Sequence, residues 1–450
     1  MTTDPRKTFA TEVVQRLQGA GHRALWAGGC VRDLELGLEP ADYDVATDAT
    51  PEQVQRLFRR TVPVGISFGV VRVLGPRGAG EVEVATFRSD DAYLDGRRPS
   101  AVHYSSPEAD AARRDFTING MFLDPMTGAV IDYVGGHADL ASGVVRAIGD
   151  PAARFAEDKL RLIRAVRFAA RFGFTIEPGT KAALVAMAAQ VRVVAAERIT
   201  QELRRMLVHP TRARAMDLAM ETGLVAAVLP PLVPMKGLLQ GNPVQPDGDL
   251  WDHTLLVLET LPSAPSFSLA FAALLHDVGK PETEGLQHGR TTFHDHEHVG
   301  RRIAEALCRE LKLANAERER VAWLVRHHQD LGEPLTMRAA TLKRILAMPG
   351  IEDLLALHRA DALASTGDAR HVDSCEDYLR TQPAGPINPP PLVTGHDLQR
   401  LGLTPGPAFA AILEQARDAQ LERVISSTPE ALEWLERLPI IREVLHRSED

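Results

Sequence analysis

The first 150 residues alternate between helical and strand-like patterns, whereas the pattern from Pro151 onward is helical almost to the end. The early order is helix, strand, helix, strand, helix, and then two β-like runs at 69–74 and 81–87 joined by a turn rich in glycine and proline. Strands joined by a short turn pair in antiparallel fashion, so this order excludes a repeating βαβ barrel. We therefore expect an α+β fold, with a mixed sheet domain ahead of an all-helical region.

Length and composition place the chain among ordinary globular proteins. At 450 residues it has room for about two to four domains, and no run approaches the roughly 18 apolar residues of a membrane span. The polar N-terminus predicts no signal peptide, and the three widely spaced cysteines form neither a disulfide framework nor a zinc knuckle. We expect a cytoplasmic protein with no membrane association, and the sequence leaves its oligomeric state open.

Charge is distributed unevenly along the chain. The formal net charge is −9, which argues against indiscriminate coating of nucleic acid. Residues 151–210, however, hold 11 Lys and Arg against 5 Asp and Glu, a net charge of +6. A local basic segment matters more to a polyanionic partner than the total charge does, so this segment is the candidate nucleic-acid contact.

Two aspartates, Asp42 and Asp44, follow a pair of glycines in the α/β region. A strand predicted over 42–46 would place both carboxylates on one face about 7 Å apart, where they repel each other unless a cation lies between them. Such a pair suits two Mg²⁺ ions in phosphoryl or nucleotidyl transfer. Glu81 and Glu83 alternate with valines on a later strand, and we favour Glu83 as the third carboxylate, the alternative being that both face solvent. Alone, an Asp-x-Asp pair is more often a solvated turn, but the upstream glycines disfavour that alternative.

Gly28 and Gly29 lie where a predicted strand turns into a helix. Backbone N–H groups can approach phosphates at such a turn, and Arg32 one turn later could reach a triphosphate. The two arginines of segment 113–119 could clamp a phosphate or read a base edge. The alternative for this segment is a surface cluster of salt bridges.

Asp158, Arg161 and Arg164 follow helical spacing. Because residues three apart share a helix face, Asp158 and Arg161 could present donors and acceptors to one nucleobase, with Arg164 one turn further along. Spacing alone favours a simpler alternative, an intrahelical ion pair of little energetic weight.

In this order, these segments resemble the motifs of class II nucleotidyltransferases, the bacterial tRNA CCA-adding enzymes and the related poly(A) polymerases. The resemblance covers about residues 10–235 and rests on four segments: 28–33, 42–44, 113–119 and 157–161. It implies a DNA-polymerase-β-like palm followed by a helical neck and body. It further implies that Asp42 and Asp44 bind Mg²⁺ and that Gly28, Gly29 and Arg32 hold the triphosphate.

The resemblance also implies how a nucleotide is chosen. Arg114, Asp158 and Arg161, together with Arg164, would read the base of incoming CTP or ATP in place of a template. Segment 88–99 resembles the flexible loop that influences the switch from C to A addition. The implied reaction adds CMP and AMP to the 3′ end of tRNA. A poly(A) polymerase, or an enzyme adding only CC or only A, would share this base pocket and remains an alternative.

Half of the 16 histidines lie between residues 253 and 328. Imidazole and carboxylate together suit a first-row divalent ion with open positions for water. The set resembles the HD domain of metal-dependent phosphohydrolases, most specifically at His276-Asp277. The resemblance implies His253, His276, Asp277 and Asp361 as ligands of a divalent transition metal.

His296 and His328 would be further ligands or phosphate contacts in the same domain, with their sequence neighbours His294, His298 and His327 as alternatives. The chain could instead be mainly an HD phosphohydrolase acting on RNA-end phosphates, or its HD fold could serve only RNA binding. From all these patterns we predict four regions: a palm at 1–150, a neck and body that bind base and RNA at 151–235, an HD domain at 236–380 and a helical tail at 381–450.

Overall fold

A computed structural model of the chain describes most of its residues: 4–65, 69–90, 102–239, 248–288, 290–381, 385–439 and 441. They form two compact units, Met1–Pro234 with Leu307–Leu313, and Met235–Ala306 with Ala314–Asp450. Within the described ranges, no helix is long and apolar enough to cross a membrane. The four predicted regions stay a prediction, because this division distinguishes only two units.

The first unit is built around a β-sheet. The strands of the chain are β1 (Ala24–Ala27), β2 (Val45–Thr47), β3 (Thr61–Gly65), β4 (Val70–Leu74), β5 (Glu81–Thr86), β6 (Arg88–Asp90), β7 (Val102–Tyr104), β8 (Phe122–Asp124), β9 (Ala129–Ile131), β10 (Val144–Val145), β11 (Thr175–Ile176), β12 (Glu284–Gln287) and β13 (Arg290–Phe293). Seven of them form one sheet in the order β3-β4-β5-β2-β1-β8-β9. Only β2 and β5 pair in parallel there, with Val45 opposite Val84.

Helices surround this sheet and follow it in the chain. Those up to residue 228 are α1 (Pro5–Gly19), α2 (Gly29–Glu35), α3 (Pro51–Leu57), α4 (Pro107–Ala112), α5 (Gly136–Ala141), α6 (Pro151–Glu157), α7 (Leu160–Phe172), α8 (Pro178–Met187), α9 (Ala196–Leu207), α10 (Arg212–Glu221) and α11 (Leu224–Val228). Helix α7 buries an apolar stripe and ends where Gly173 adopts φ 72°, a conformation that glycine accommodates without strain. A sheet domain followed by helices confirms the predicted α+β fold.

The later part of the chain is almost entirely helical. Its helices are α12 (Leu250–Thr260), α13 (Phe267–Leu275), α14 (Lys280–Thr283), α15 (His296–Glu310), α16 (Asn315–His327), α17 (Ala339–Leu346), α18 (Ile351–Ser365), α19 (Arg370–Thr381), α20 (Gly395–Arg400), α21 (Pro407–Leu421) and α22 (Thr428–Glu436). Helix α13 is apolar nearly all round, so it forms a buried core helix against α12 and α16. Helix α12 also packs on α18, and this packing brings distant polar residues together.

Candidate active sites

The first candidate site is a cluster of carboxylates beside the parallel strand pair. Asp42 and Asp44 lie just before β2, which begins three residues later than predicted, and Glu83 lies on neighbouring β5. The expected alternation is still present, because Tyr43 and Val45 are buried while the three acidic residues are exposed. The aspartates thus lie outside β2. The burial of Tyr43 and Val45 on the opposite face still fixes the direction in which the two carboxylates point.

The protein environment makes this cluster difficult to ionise fully. Asp44 keeps one accessible side, yet loss of hydration and then the negative charges of Asp42 and Glu83 raise its pKa to about 7. A divalent cation would remove that repulsion, and carboxylate oxygens are the ligands that Mg²⁺ prefers. The donor set therefore fits a divalent metal ion.

The glycine turn lies beside these carboxylates. Gly28 precedes α2 with φ 75°, a backbone conformation that would strain any other residue, and a Cβ there would lie 2.7 Å from Nη1 of Arg114 and displace that side chain. Arg114 also donates to the carbonyl of Asn119 at 3.3 Å and to Asp110 at 3.2 and 3.0 Å. Its positive charge opposes the rise in the pKa of Asp44. Arg114 therefore adjoins the turn and the carboxylates.

Arg32 is buried beneath the turn rather than free at its surface. It pairs with Asp33 at 2.6 and 2.8 Å and donates to Oδ1 of Asn119 at 2.5 Å. Its guanidinium lies 5.1 and 4.6 Å from the ring centroids of Phe168 and Phe172. A direct contact between Arg32 and a triphosphate stays a prediction, and the observed contacts point to a supporting role.

The predicted base-reading residues are arranged differently from the expected helix face. Asp158 lies between α6 and α7 in extended backbone, with φ −141° and ψ 104°. Arg161 consequently pairs with Glu157 at 2.6 Å, whereas Asp158 pairs with Arg198 of α9 at 2.8 Å. The expected pairing of Asp158 with Arg161 is therefore wrong, because the helix breaks between them.

Arg164 is held by a residue from the palm motif. It donates to Oδ2 of Asp115 at 2.8 and 2.5 Å, and Oδ1 of Asp115 accepts from Nδ2 of Asn119 at 3.0 Å. Burial alone would raise the pKa of Asp115, but the Arg164 charge and the Asn119 hydrogen bond hold it well below its usual range. Asp115 and Asn119 were not among the predicted site residues, although both lie in segment 113–119.

The segment 88–99, proposed for the switch from C to A addition, lies only partly within the described residues. From residue 91 to residue 99 it lies outside the described residues. Its first part, Arg88–Asp90, forms strand β6 and pairs with β7.

The second candidate site gathers the predicted histidines and aspartates. His276 and Asp277 follow the buried helix α13, His253 lies on α12, and Asp361 lies on α18. Nε2 of His253 is 3.3 Å from Nε2 of His276 and 3.1 Å from Oδ1 of Asp361. Oδ2 of Asp277 is 3.1 Å from Nε2 of His276. These four residues therefore lie close together, as the resemblance to the HD domain implied, and their role as metal ligands stays a prediction.

Two further histidines approach the other carboxylate oxygen of Asp277. His296 begins α15 and His328 directly follows α16, and their Nε2 atoms are 3.2 Å apart. They lie 3.2 and 3.4 Å from Oδ1 of Asp277. His253, His276 and Asp277 form one possible metal triad, and Asp277, His296 and His328 form a second. Asp277 is common to both.

Hydrogen bonds orient these rings for metal binding. Nδ1 of His276, His296 and His328 each lies 2.8 Å from the carbonyl oxygen three residues earlier. In the neutral ring that a metal ligand requires, Nδ1 donates and Nε2 carries a lone pair for the metal ion, whereas a protonated ring would donate from Nε2 to the carboxylate. Oδ1 of Asp277 is buried and has no hydrogen-bond partner among the described residues. Acceptors that face one another in a buried site fit a divalent cation.

A lysine completes the polar surroundings. Nζ of Lys280 donates to Oδ2 of Asp277 at 2.7 Å. Burial would raise the pKa of Asp277, but the charges of His276 and Lys280 hold it well below its usual range. The carboxylate is therefore ionised at neutral pH, as a metal ligand must be.

Comparisons with known proteins find three domain types in this chain. Residues 24–146 match the poly A polymerase head domain, residues 173–235 match the probable RNA and SrmB-binding site of polymerase A, and residues 250–365 match the HD domain. Both candidate sites thus lie in types of domain that use divalent metal ions.

Curated relatives are CCA-adding enzymes. The Bacillus subtilis (strain 168) enzyme is 43% identical over 216 residues, which are 48% of this chain and 54% of that protein. The Geobacillus stearothermophilus enzyme is 42% identical over 218 residues, 48% of this chain and 53% of that protein. The chain spans about half the length of the curated relatives it matches.

Solved structures extend the similarity to the whole fold. The Bacillus stearothermophilus CCA-adding enzyme in complex with CTP aligns over 100% of both chains, with 26% identity and a TM-score of 0.72. The Thermotoga maritima CCA-adding enzyme complexed with tRNA covers 95% of this chain and 94% of its own, with 20% identity and a TM-score of 0.61. The latter similarity concerns the fold alone.

Proposed function

We propose that this chain, which belongs to the nucleotidyltransferase family of CCA-adding enzymes and poly(A) polymerases and carries an HD domain, completes the 3′ end of tRNA. It would add CMP and AMP from CTP and ATP without a nucleic-acid template. The observation that carries this proposal is the carboxylate cluster of Asp42, Asp44 and Glu83 beside the glycine turn and Arg114. The names of the relatives favour CCA addition over addition of a long A tail.

The palm residues would position the reacting groups. Asp42, Asp44 and Glu83 would hold Mg²⁺, which supplies activation of the RNA 3′-hydroxyl and neutralisation of the triphosphate. Gly28, having no side chain, leaves the backbone open to the phosphates, and Arg114 contributes a fixed positive charge beside the carboxylates. Positioning and charge stabilisation together account for most of the catalysis in this class of reaction.

Base choice would come from side chains that the fold holds in place. Asp158 is held by Arg198, Arg161 by Glu157, and Arg164 by a palm aspartate. Their donors and acceptors would match one edge of cytosine or adenine. A mismatched base would leave buried polar groups unpaired, which discriminates more strongly than a lost methylene group.

The basic segment 151–210 would contact the acceptor end of tRNA, which proteins read largely through backbone and shape. The match to an RNA-binding region at 173–235 supports this partner. The cysteines of the chain, Cys30, Cys308 and Cys375, are free and buried, which supports a reducing, cytoplasmic location.

Incubation with three tRNA transcripts tests the proposal. The transcripts lack the CCA end, end in CC, or are complete, and each nucleoside triphosphate is supplied separately. We expect addition to stop after CCA, and expect Asp42→Ala to abolish labelled CTP and ATP incorporation. Termination after CC, or a long A tail, would favour one of the related transferases. Persistent incorporation by the variant would contradict the assigned site.

A second activity is supported by the histidine site. We infer that the HD domain binds two divalent transition metal ions through triads that share Asp277, and hydrolyses phosphate esters at RNA ends, such as 2′,3′-cyclic phosphates. The bound metal ions would supply a nucleophilic water and neutralise the phosphate charge. The observation that carries this inference is the buried Oδ1 of Asp277, which has no hydrogen-bond partner in the described part of the chain and faces His296 and His328.

Hydrolysis of 2′,3′-cyclic AMP, measured with Mn²⁺, Co²⁺, Ni²⁺ and Mg²⁺ in turn, tests the second activity. We expect turnover with at least one of these ions and none in Asp277→Asn, while nucleotidyl transfer persists in that variant. No turnover with any ion would leave RNA binding as the role of this domain.

A further inference from the structure

Asn119 is a buried residue that contacts both halves of the nucleotidyl transfer site. It ends a short 3₁₀ turn, Thr117–Asn119, and only 6% of it is exposed. Its Oδ1 accepts from Nη1 of Arg32 at 2.5 Å, and its Nδ2 donates to Oδ1 of Asp115 at 3.0 Å. Its backbone carbonyl accepts from Nη1 of Arg114 at 3.3 Å. The side chain and the backbone carbonyl of Asn119 thus form hydrogen bonds with three charged groups, those of Arg32, Arg114 and Asp115.

Each partner of Asn119 leads to a different part of the site. Arg32 belongs to α2, the helix that starts at the glycine turn, and Arg114 lies against Gly28 of that turn. Asp115 connects Asn119 to the residues proposed to read the base, because its Oδ2 accepts both hydrogen bonds from Arg164. Asn119 therefore lies between the groups proposed for the phosphates and one proposed for the base.

Phe168 reinforces the same connection. The guanidinium groups of Arg32 and Arg164 lie 5.1 and 5.2 Å from the centroid of its ring. Arg167, which pairs with Glu202, lies over the same ring at 4.1 Å. Cations that share one ring repel each other, and they keep these positions only if each has a negative or acceptor partner nearby. Arg32 finds such partners in Asp33 and Asn119, and Arg164 finds one in Asp115.

The amide is the group that suits this position. It offers an acceptor toward Arg32 and a donor toward the carboxylate of Asp115 at the same time. An ionised aspartate of the same shape would keep the contact with Arg32 but would turn a negative oxygen toward Asp115. Alanine would remove both contacts.

We propose that Asn119 is a positioning residue that couples triphosphate binding to base selection by fixing Arg32 and the Asp115–Arg164 pair in one arrangement. This proposal rests on the proposed nucleotidyl transfer. The two substitutions at this position therefore act differently. Asn119→Asp should disturb the base-reading side, whereas Asn119→Ala should disturb both sides.

The experiment measures kcat/KM and equilibrium binding for CTP, ATP, UTP and GTP with a tRNA that lacks its CCA end. For Asn119→Asp we expect the preference for CTP over UTP to fall about tenfold or more, the usual effect of losing one charged hydrogen bond, with affinity for CTP nearly unchanged. For Asn119→Ala we expect both the preference and the affinity to fall. Asn315→Asp, which adds the same charge at an exposed helix start, should change neither.

Two outcomes separate this inference from the function on which it rests. If the wild-type protein selects CTP and ATP and folded Asn119→Asp selects them equally well, the positioning role is overturned. If Asn119→Asp does not fold, Asn119→Ala decides by the same two measurements, and unchanged preference and affinity overturn the role. If the wild-type protein neither incorporates nor distinguishes nucleotides, the nucleotidyl transfer assignment fails instead.

Discussion

Both carboxylate oxygens of Asp158 accept hydrogen bonds from Arg198, at 3.3 and 2.8 Å. The two residues are 40 positions apart in the chain, and Arg198 belongs to α9, whereas Asp158 lies at the junction of α6 and α7. A residue proposed to read the base is thus oriented by a helix that is not its neighbour in sequence. Changes in α9 should consequently affect nucleotide choice.

We expect Arg198→Ala to relax base choice more than it weakens triphosphate binding, because Asp158 would lose the partner that fixes its carboxylate. Asp158→Ala should have the same effect, with a loss of discrimination of about tenfold, as expected for one charge-assisted hydrogen bond. Single-nucleotide incorporation with each triphosphate measures this. Arg192→Ala, which removes a basic residue whose side chain donates to backbone carbonyls of α11, is the matched control. Unchanged selectivity in Arg198→Ala would indicate that the ion pair is purely structural.

Local sequence patterns predicted which residues belong to the nucleotidyl transfer site better than they predicted which side chains those residues pair with. Alternation correctly predicted which of residues 42–45 are buried, because one face of a sheet is always covered. Helical spacing failed at Asp158, whose side chain accepts from the N–H of Leu160 at 3.1 Å and so begins a new helix. Aspartate is a common helix N-cap, and that signal was available in the sequence. The pairing of Asp115 with Arg164 depends on tertiary packing, so the spacing of the two residues in the sequence does not predict it.

The metal site illustrates the same limit. The density of histidines indicated a site for a divalent ion, and the resemblance to the HD domain implied which residues are its ligands. It did not predict the division into two triads. That division depends on how α12, α13, α15, α16 and α18 pack, since Asp277 is the residue whose two oxygens face different histidine pairs.

Asp44→Asn should reduce nucleotidyl transfer by about 10³-fold or more, because the amide removes one negative ligand from the carboxylate cluster. Substrate binding to the basic neck should remain, so the loss should appear in kcat rather than in the affinity for tRNA. Single-turnover incorporation of labelled CTP, with tRNA binding measured in parallel, checks this. Asp48→Asn, at an exposed aspartate just after β2, should leave the rate unchanged. A rate within a few-fold of wild type in Asp44→Asn would contradict the metal-binding role.

Metal content should follow the two triads. We expect wild-type protein to bind two equivalents of Mn²⁺ or Co²⁺ in the HD domain, His328→Gln to bind one, and Asp277→Asn to bind none, because Asp277 belongs to both triads. Native mass spectrometry on a background of Asp42→Ala, which disables the palm site, measures the stoichiometry. His294→Gln changes an exposed histidine near the site and should retain both ions. A single equivalent in the wild-type protein would exclude the shared-ligand arrangement.

His358 should make the stability of the second unit depend on pH. This residue of α18 is 4% exposed, and its Nε2 accepts from the N–H of Leu331 at 3.4 Å. Burial, followed by the charge of His328, lowers its pKa to about 4, with Asp361 opposing and His371 adding to the shift. The folded state therefore binds a proton less readily than the unfolded chain, whose histidine pKa is about 6.5.

The stabilisation by neutral His358 is thus fully present above the unfolded pKa and is lost as the pH falls from about 6.5 toward 4. Between pH 7.5 and pH 5.0 we expect wild-type protein to lose about 2 kcal/mol relative to His358→Gln, which has no proton to gain. Thermal unfolding of both proteins at the two pH values should show the difference in Tm between wild-type protein and His358→Gln narrowing by about 4–8 °C. The other histidines are common to both proteins and cancel in the comparison. His396→Gln, at an exposed histidine, should follow the wild-type profile. A Tm gap that does not change with pH would show that His358 is not held neutral by its surroundings.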